Sequence, residues 1–294
     1  MYEDLKDSVV IITGASRGLG FQIASSFYQH GARVILSSRK KEELDDAAKK
    51  IIQLDSSHKE NILTFQSDVS LKKDCNDLAS FAIDQFGKIT TLINNAGIYG
   101  PKGRFDELNE DDFHQVMNIN FYGSMYMIKA CMKYFLENNK GSVIQLSGGG
   151  ATKALKNISG YSASKTAIVR LIENLAIDYF DTNIRFNSVA PGAINTSMLD
   201  EIIDAGPDKV GQEYYTKSLN QLKNGGADPR IAASLCLYLA SESSAGINGR
   251  VISAIWDKWD NFPENLSLFE EDENLFRLSR ILPSKSSIRK KLLK

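Results

Sequence analysis

The feature that most constrains the fold of this chain is an alternation of short apolar segments with longer amphipathic ones. The apolar segments are rich in β-branched residues and predict seven strands, at residues 9–13, 33–37, 62–66, 90–95, 142–147, 185–190 and 251–255. Helical periodicity fills the intervals, at about residues 19–30, 41–54, 71–86, 111–138, 160–180 and 229–241. Because parallel strands need crossover helices, the pattern predicts an α/β fold with a single doubly wound domain. Its seven-stranded parallel sheet is covered by helices on both faces.

Two segments interrupt this alternation and set the domain boundaries. Residues 1–256 form the predicted catalytic domain, which contains a long insertion at about residues 197–228. Insertions of this length often form lids or substrate loops. Residues 257–294 form a C-terminal tail that we expect to pack on the domain, and its basic end, KSSIRKKLLK, is expected to be a solvated terminus.

The composition is that of an ordinary globular protein, with 43% hydrophobic and 24% charged residues. A net charge of −1 gives no basic field for nucleic acid, and no apolar run is long enough to span a membrane. The N-terminal MYEDLKDS is acidic where a signal peptide would be basic, so we expect a cytoplasmic protein. Three isolated cysteines predict buried, reduced thiols, and the scattered histidines and cysteines predict no metal site.

A glycine-rich turn, TGASRGLG, joins the first strand to the first helix. Glycines at positions 14, 18 and 20 allow a tight turn and a close approach of the backbone to an anion. The helix N-terminus directs free N–H groups at that anion, so the turn predicts a binding site for a dinucleotide pyrophosphate. The spacing is neither G-x-G-x-x-G nor a P-loop.

The second strand ends in the residues LSSRK, where a carboxylate would accept hydrogen bonds from a ribose 2′-hydroxyl. No carboxylate is present there, and Arg39 and Arg17 are placed to pair with a 2′-phosphate. We therefore predict NADP(H) as the cofactor in preference to NAD(H). The alternative is that both arginines are ordinary surface residues.

Tyr161 and Lys165, in YSASK, are four residues apart and lie on one face of a predicted helix. A lysine ammonium beside a phenol lowers the pKa of the phenol, which suits a general acid or base near neutral pH. The spacing alone is weak evidence, because Tyr2 and Lys6 repeat it before the first strand.

Six motifs occur together in one order: TGASRGLG, DV (68–69), NNAG (94–97), N-x-x-G (120–123), YSASK and PGAINT (191–196). In this order and spacing the chain resembles the short-chain dehydrogenases/reductases over about residues 6–256. The resemblance implies a Rossmann domain that binds a nicotinamide cofactor. It also implies a homodimer or homotetramer, formed through the helices that carry Asn120 and Tyr161.

The resemblance also implies roles for individual residues. Tyr161 is the implied general acid/base, Lys165 lowers its pKa and binds the nicotinamide ribose, and Asn120 holds a water for proton relay. The implied cofactor-binding residues are Thr13, Gly14, Ser16, Arg17, Gly18, Leu19, Gly20, Ser38, Arg39, Asp68, Val69, Asn94, Ala96, Gly97, Tyr161, Lys165, Pro191, Gly192, Ile194 and Thr196.

The chain departs from the family pattern at the position thirteen residues before the tyrosine, where Gly148 replaces the usual serine. Ser147 is the candidate substitute, and a purely structural serine at the strand end is the alternative. The tail carries Trp256 and Trp259, which either pack the tail on the domain or form a wall of the substrate site. This ending, with LSGGGA, resembles a family branch associated with surface-polysaccharide and sugar biosynthesis.

These observations predict an NADPH-dependent carbonyl reductase or alcohol dehydrogenase. Its predicted partner is a small carbonyl or alcohol substrate, namely a keto-sugar or a nucleotide-linked sugar. A 3-oxoacyl-thioester reductase is the alternative enzyme. A cofactor-binding regulator without catalysis is the alternative from another class.

Overall fold

The structure is a computed structural model that describes residues 2–6 and 8–280. Its centre is one parallel sheet with the strand order β3-β2-β1-β4-β5-β6-β7. The strands are β1 Val9–Thr13, β2 Arg33–Ser38, β3 Ile62–Gln66, β4 Thr91–Asn94, β5 Gly141–Leu146, β6 Ile184–Ala190 and β7 Arg250–Ser253. All seven strands that the sequence predicts are present, and the parallel order confirms the predicted fold class.

Helices cover both faces of this sheet. They are α1 Gly18–Gln29, α2 Lys41–Leu54, α3 Lys72–Phe86, α4 Glu110–Met117, α5 Ser124–Glu137, α6 Ser159–Asp178, α7 Ser197–Val210, α8 Gln212–Asn224, α9 Pro229–Ala240 and α10 Ser267–Glu271. Val10 and Ile12 of β1 enter the core formed with α1, α2 and α9, whereas Ile11 enters the core formed with α3, α5 and α6. Burial on both faces explains why the strands are continuously apolar rather than alternating.

The strand order reverses between β1 and β4, which are hydrogen-bonded neighbours. The loops after their carboxyl ends therefore leave in opposite directions and open a crevice, the place where ligands bind to open α/β sheets. The glycine-rich turn follows β1 and the NNAG segment follows β4, so topology alone brings these two distant motifs together.

The sequence predicts one continuous helix at residues 111–138, and this expectation is wrong in one respect. A π-helical turn, Asn118–Gly123, separates α4 from α5. Single π-turns inside α-helices frequently lie at functional sites, and this one carries Asn120. Gly123 ends the turn where a Cβ would stand 2.8 Å from Cγ2 of Val69, so the close approach of the Val69 loop requires glycine.

The insertion folds into helices α7 and α8, which we call the lid. Gly206, at φ 74°, breaks the helical geometry inside α7, and Gly211, at φ 86°, joins the two helices. Ile202 and Val210 of the lid pack against Tyr161 in a small third core. The lid therefore lies on the residue that the sequence identifies as catalytic.

Residues of the tail pack along the edge of the sheet. Trp259 stacks on Tyr238 with ring centres 6.1 Å apart, while Trp256 is 84% exposed. The Arg250 guanidinium, buried beneath the tail, donates to the backbone carbonyls of Glu273, Leu275 and Phe269 at 2.6–2.8 Å. Of the two tryptophans, only Trp259 therefore holds the tail on the domain.

The tail also supplies a hydrogen bond to the edge strand, from Val251 N–H to Phe276 O at 2.8 Å. The basic segment KSSIRKKLLK lies outside the described residues. Within residues 2–6 and 8–280, no helix is long and apolar enough to cross a membrane. The three cysteines are free and buried, as the sequence predicts.

Candidate active site

Thr13, the last residue of β1, joins the two loops that form the crevice. Its hydroxyl accepts hydrogen bonds from the backbone N–H groups of Asn95 and Ala96, both at 3.1 Å. The Asn95 side chain donates in return to the carbonyls of Thr13 and Gly14, both at 3.0 Å. Asn95 was not singled out among the predicted site residues, although it lies inside NNAG.

The glycine turn is packed so closely that side chains are excluded from it. Gly14 has φ +63°, and a Cβ on it would stand 2.9 Å from Ala96 Cα. A Cβ on Gly20 would stand 2.5 Å from Asn95 Nδ2. Helix α1 begins directly after the turn, and Arg17 and Gly18 at its N-terminus are exposed. The first backbone N–H groups of the helix have no partner within it and lie at this exposed end. These features fit the pyrophosphate of a dinucleotide.

The PGAINT segment meets the glycine turn from the other side of the crevice. A Cβ on Gly18 would stand 3.4 Å from Cγ2 of Thr196, the residue that precedes α7. Gly192 adopts φ +89° beneath Ile255, where a Cβ would stand 2.6 Å from Cγ1. Pro191 and Ile194 are half-buried in the same segment, and Leu19 packs towards the core behind the turn.

The far end of the crevice carries the residues predicted to bind adenosine. Arg17 and Arg39 are exposed, and Arg39 lines a cleft of about 350 Å³ together with Ile98 and Ile119. Ser16 donates to Glu43, whose carboxylate is paired with Lys40 at 2.8 Å. The hydrogen bond from Lys40, with its charge, lowers the pKa of Glu43.

The residues that follow β3 and β4 are largely fixed by local hydrogen bonds. Asp68 accepts from the N–H and hydroxyl of Ser70, at 2.9 and 2.7 Å, which folds the turn before α3. The Asn94 side chain donates to Ser124 O at 3.1 Å, while its buried side-chain oxygen Oδ1 has no partner within the described residues. The Ser38 hydroxyl is likewise buried without a partner there.

Asn120, Tyr161 and Lys165 come together at the carboxyl end of β5. Asn120 accepts from Ile98 N–H and donates to Ile98 O, both at 2.9 Å, so its side chain is locked to the loop after β4. Lys165 donates to Leu146 O at 2.9 Å, and its ammonium lies 5.9 Å from the centre of the Tyr161 ring. Gly97 lies against both side chains: a Cβ on it would stand 3.2 Å from Asn120 Oδ1 and 3.4 Å from Lys165 Nζ.

Burial governs the charges of this cluster. Lys165 is 4% exposed, and desolvation lowers its pKa to about 8. The sequence predicts a lowered pKa for Tyr161, but in this structure burial raises the pKa of Tyr161, with nearby Tyr214 as a second cause. The difference arises because the lid excludes water from Tyr161, which disfavours the phenolate.

Gly148 touches the Tyr161 hydroxyl. A Cβ at position 148 would stand well inside 3.0 Å of that oxygen, so no side chain fits there while Tyr161 keeps its place. The Ser147 hydroxyl is buried and has no hydrogen-bond partner in the described part of the chain. A substrate-binding role for Ser147 therefore stays a prediction.

A cover of two further tyrosines lies over Tyr161. The Tyr99 ring packs at 4.7 Å from the Tyr161 ring, and the Tyr99 hydroxyl bonds the hydroxyl of Tyr214, from α8 of the lid, at 3.3 Å. Lys102 Nζ lies 5.7 Å from the Tyr99 ring centre and pairs with Glu201 of α7 at 3.1 Å. None of these residues was predicted individually. Glu201 and Tyr214 lie within the insertion at residues 197–228, whose length suggested a lid or substrate loop, and Tyr99 directly follows NNAGI.

No group of three or more His, Cys, Asp or Glu side chains suited to a metal ion occurs among the described residues. A phenol and a lysine share a water-poor site, beside a crevice shaped for a dinucleotide. Side chains of this kind are suited to proton transfer.

Comparison with known proteins agrees with this geometry. The family model for short chain dehydrogenases matches residues 8–206. A levodione reductase of Leifsonia aquatica is 31% identical over 250 residues, which cover 84% of this chain and 92% of the relative. An L-rhamnose-1-dehydrogenase of Scheffersomyces stipitis is 30% identical over 246 residues, covering 83% of this chain and 93% of the relative.

Among solved structures, the crystal structure of levodione reductase matches with a TM-score of 0.77 at 26% identity, covering 84% of this chain and 96% of that chain. A short chain dehydrogenase from Bacillus anthracis matches with a TM-score of 0.70 at 30% identity, covering 85% of this chain and 95% of that chain. This chain is therefore an oxidoreductase with an NAD(P)-binding fold, and it belongs to the short-chain dehydrogenase family.

Proposed function

We propose that this oxidoreductase is an NADP(H)-dependent carbonyl reductase that acts, in either direction, on a keto-sugar or nucleotide-linked sugar. The observation that carries the proposal is the convergence of Tyr161, Lys165 and Asn120 at the carboxyl end of β5, beneath a lid that places the Tyr214 hydroxyl against that of Tyr99.

In this proposal the bound nicotinamide supplies or accepts the hydride. Tyr161 donates a proton to the substrate oxygen during reduction and removes it during oxidation. Lys165, held by Leu146 O, stabilises the phenolate that remains after donation and contacts the nicotinamide ribose. Asn120, fixed between Ile98 and Ser164, positions the loop on which the cofactor rests.

Preference for the phosphorylated cofactor is supported by charge. Arg39 lines the cleft, and Arg17 directly precedes α1. The nearby Glu43 carboxylate is paired with Lys40. We expect Arg39→Ala to lower kcat/KM for NADPH about ten-fold and to leave that for NADH unchanged. Lys49→Ala is the matched control, because Lys49 is an exposed lysine of α2 that pairs with Asp46. An equal loss with both cofactors in Arg39→Ala would contradict the preference.

A keto-sugar is supported by the hydroxyls of Tyr99 and Tyr214 beside Tyr161 and by the relative that is named for a sugar, L-rhamnose. The test is NADPH oxidation at 340 nm by the purified chain, with nucleotide-linked keto-sugars set against 3-oxoacyl thioesters. Turnover of the thioester alone would overturn the sugar proposal and move the protein to lipid metabolism.

Tyr161→Phe tests whether the chain is an enzyme of this type or a cofactor-binding regulator. We expect the variant to lose nearly all turnover and to bind NADPH with unchanged Kd. Tyr2→Phe is the matched control, because Tyr2 belongs to the second Tyr-x-x-x-Lys pair and packs against Tyr238, away from the site. Full activity of Tyr161→Phe would refute the assigned role.

We also propose a homodimer or homotetramer formed through α4, α5 and α6. The support is three exposed apolar side chains on α5, on α6 and on the π-turn between α4 and α5: Leu136 is 45% exposed, Ile177 57% and Tyr122 41%. A face that a partner covers is expected to carry a contiguous patch of such residues. Light scattering that detects only monomer would contradict this assembly.

A further inference from the structure

The hydroxyls of Tyr99 and Tyr214 hydrogen-bond each other, at 3.3 Å, and no other group within the described residues. Tyr99 comes from the loop after β4, whereas Tyr214 comes from the lid, 115 positions later. The Tyr99 ring lies 4.7 Å from that of Tyr161. The pair therefore joins the lid to the loop after β4, and it lies directly beside the proposed catalytic group.

The rest of the site provides little to hold a substrate oxygen. Gly148 presents no side chain beside the Tyr161 hydroxyl. The Ser147 hydroxyl is fully buried. Tyr99 and Tyr214 are the hydroxyl donors that face Tyr161 from the lid side.

Burial keeps the Tyr99 hydroxyl a donor. Burial, with the neighbouring phenols of Tyr214 and Tyr161, raises the pKa of Tyr99 well above its ordinary value. A phenol that stays protonated gives a hydrogen bond at any physiological pH. Its weak mutual bond at 3.3 Å is readily exchanged, because O–H···O bonds are usually about 2.7–2.8 Å long.

We propose that Tyr99 and Tyr214 determine substrate specificity, exchanging their mutual hydrogen bond for bonds to an oxygen substituent next to the carbonyl that is reduced. This inference rests on the proposed carbonyl-reductase function and narrows its substrate class to α-oxygenated ketones, which include keto-sugars. A ketone without that oxygen leaves both hydroxyls without a new partner, which is how a site built for a hydroxyl rejects its analogue.

The lid gives this recognition a structural consequence. Lys102 pairs with Glu201 at 3.1 Å and lies against the Tyr99 ring, so the loop that carries Tyr99 is tied to α7. Gly206 and Gly211 supply the backbone freedom for α7 and α8 to move. A substrate oxygen that bridges Tyr99 and Tyr214 holds the lid shut over Tyr161.

The experiment compares matched substrates with the full-length chain and with NADPH and NADH in turn. The pairs are 3-hydroxy-2-butanone with 2-butanone, and 2-hydroxycyclohexanone with cyclohexanone. We expect wild type to favour the hydroxylated member about ten-fold or more in kcat/KM. Tyr214→Phe and Tyr99→Phe each lower kcat/KM for the hydroxylated member about ten-fold and leave the other member unchanged.

Tyr215→Phe is the matched control, because Tyr215 packs in the same small core and its hydroxyl bonds nothing within the described residues. Unchanged NADPH affinity and melting temperature verify that the variants are folded. Equal reduction of both members by wild type, or equal effects of Tyr214→Phe and Tyr215→Phe, would overturn the inference and leave the proposed reductase standing. Turnover of neither member with either cofactor would overturn both the substrate class and the inference.

Discussion

Replacing Gly148 by serine restores the residue usual in the family, and we expect it to lower activity. A Cβ at this position would stand closer than 2.5 Å to the Tyr161 hydroxyl. Ordinary carbon–oxygen contact begins near 3.4 Å, so the hydroxyl must move by about 1 Å. The backbone itself is not strained, because Gly148 is extended at φ −176° and ψ 173°.

The Tyr161 ring has little room for this movement. Tyr99 lies against one part of the ring. The Gly150 backbone lies near Cδ1 and Cε1, so close that a Cβ added there would stand 3.2 Å from both atoms. A misplacement of about 1 Å at a catalytic group costs about 100-fold in rate. We therefore expect Gly148→Ala and Gly148→Ser to lower kcat about 100-fold while NADPH affinity stays unchanged.

The assay is steady-state NADPH oxidation on the best substrate of the panel, with cofactor binding followed by fluorescence. Gly149→Ser is the matched control, since a Cβ there has no atom within 4 Å, and it should keep wild-type kcat. The reasoning is refuted if Gly148→Ser retains or exceeds wild-type kcat, because the added hydroxyl would then fit beside Tyr161 and serve as the family donor.

Three further outcomes are expected from the same structure. Arg250→Ala removes three buried hydrogen bonds to tail carbonyls, so it should lower the free energy of unfolding by about 3 kcal/mol and expose the tail to proteolysis. Arg250→Lys should recover only part of the lost free energy of unfolding. If both variants unfold at the wild-type urea concentration, the Arg250 hydrogen bonds do not hold the tail on the domain. Burial lowers the Lys165 pKa from 10.5 to about 8, so the folded chain binds fewer protons than the unfolded chain between these values. The contribution of this group to the free energy of unfolding therefore rises with pH across that window. Urea titrations at pH 7.5 and 9.5 should detect this rise in the wild type and not in Lys165→Met. Burial raises the pKa of the Cys75 thiol to about 12, so a thiol reagent should label Cys75 only after denaturation.

The sequence alone predicts the fold closely because its signals are local. Each strand is a short apolar run and each helix a periodic one, so all seven strands appear within two residues of their predicted bounds. The glycine turn is equally local, since its conformation is set by glycines 14 and 18 at positive φ.

From the motifs that resemble the family, the sequence also predicts Tyr161, Lys165 and Asn120 as site residues, and the structure brings the three together. It did not place the π-turn that carries Asn120, nor the close approach of Gly123, at the end of that turn, to Val69, far apart in the chain. Helical periodicity continues through such a turn, so no local pattern marks its position.

Only the tertiary structure decided the environment of the proposed catalytic tyrosine. Three contacts form this environment: Gly148 with the Tyr161 hydroxyl, the Tyr99 ring with the Tyr161 ring, and Tyr99 with Tyr214 of the lid. They join residues that are between 13 and 115 positions apart in the chain. Their combined burial reverses the pKa shift expected for Tyr161 from Lys165 alone. A pKa depends on every group and solvent path around the atom, whereas a motif records only the neighbours along the chain.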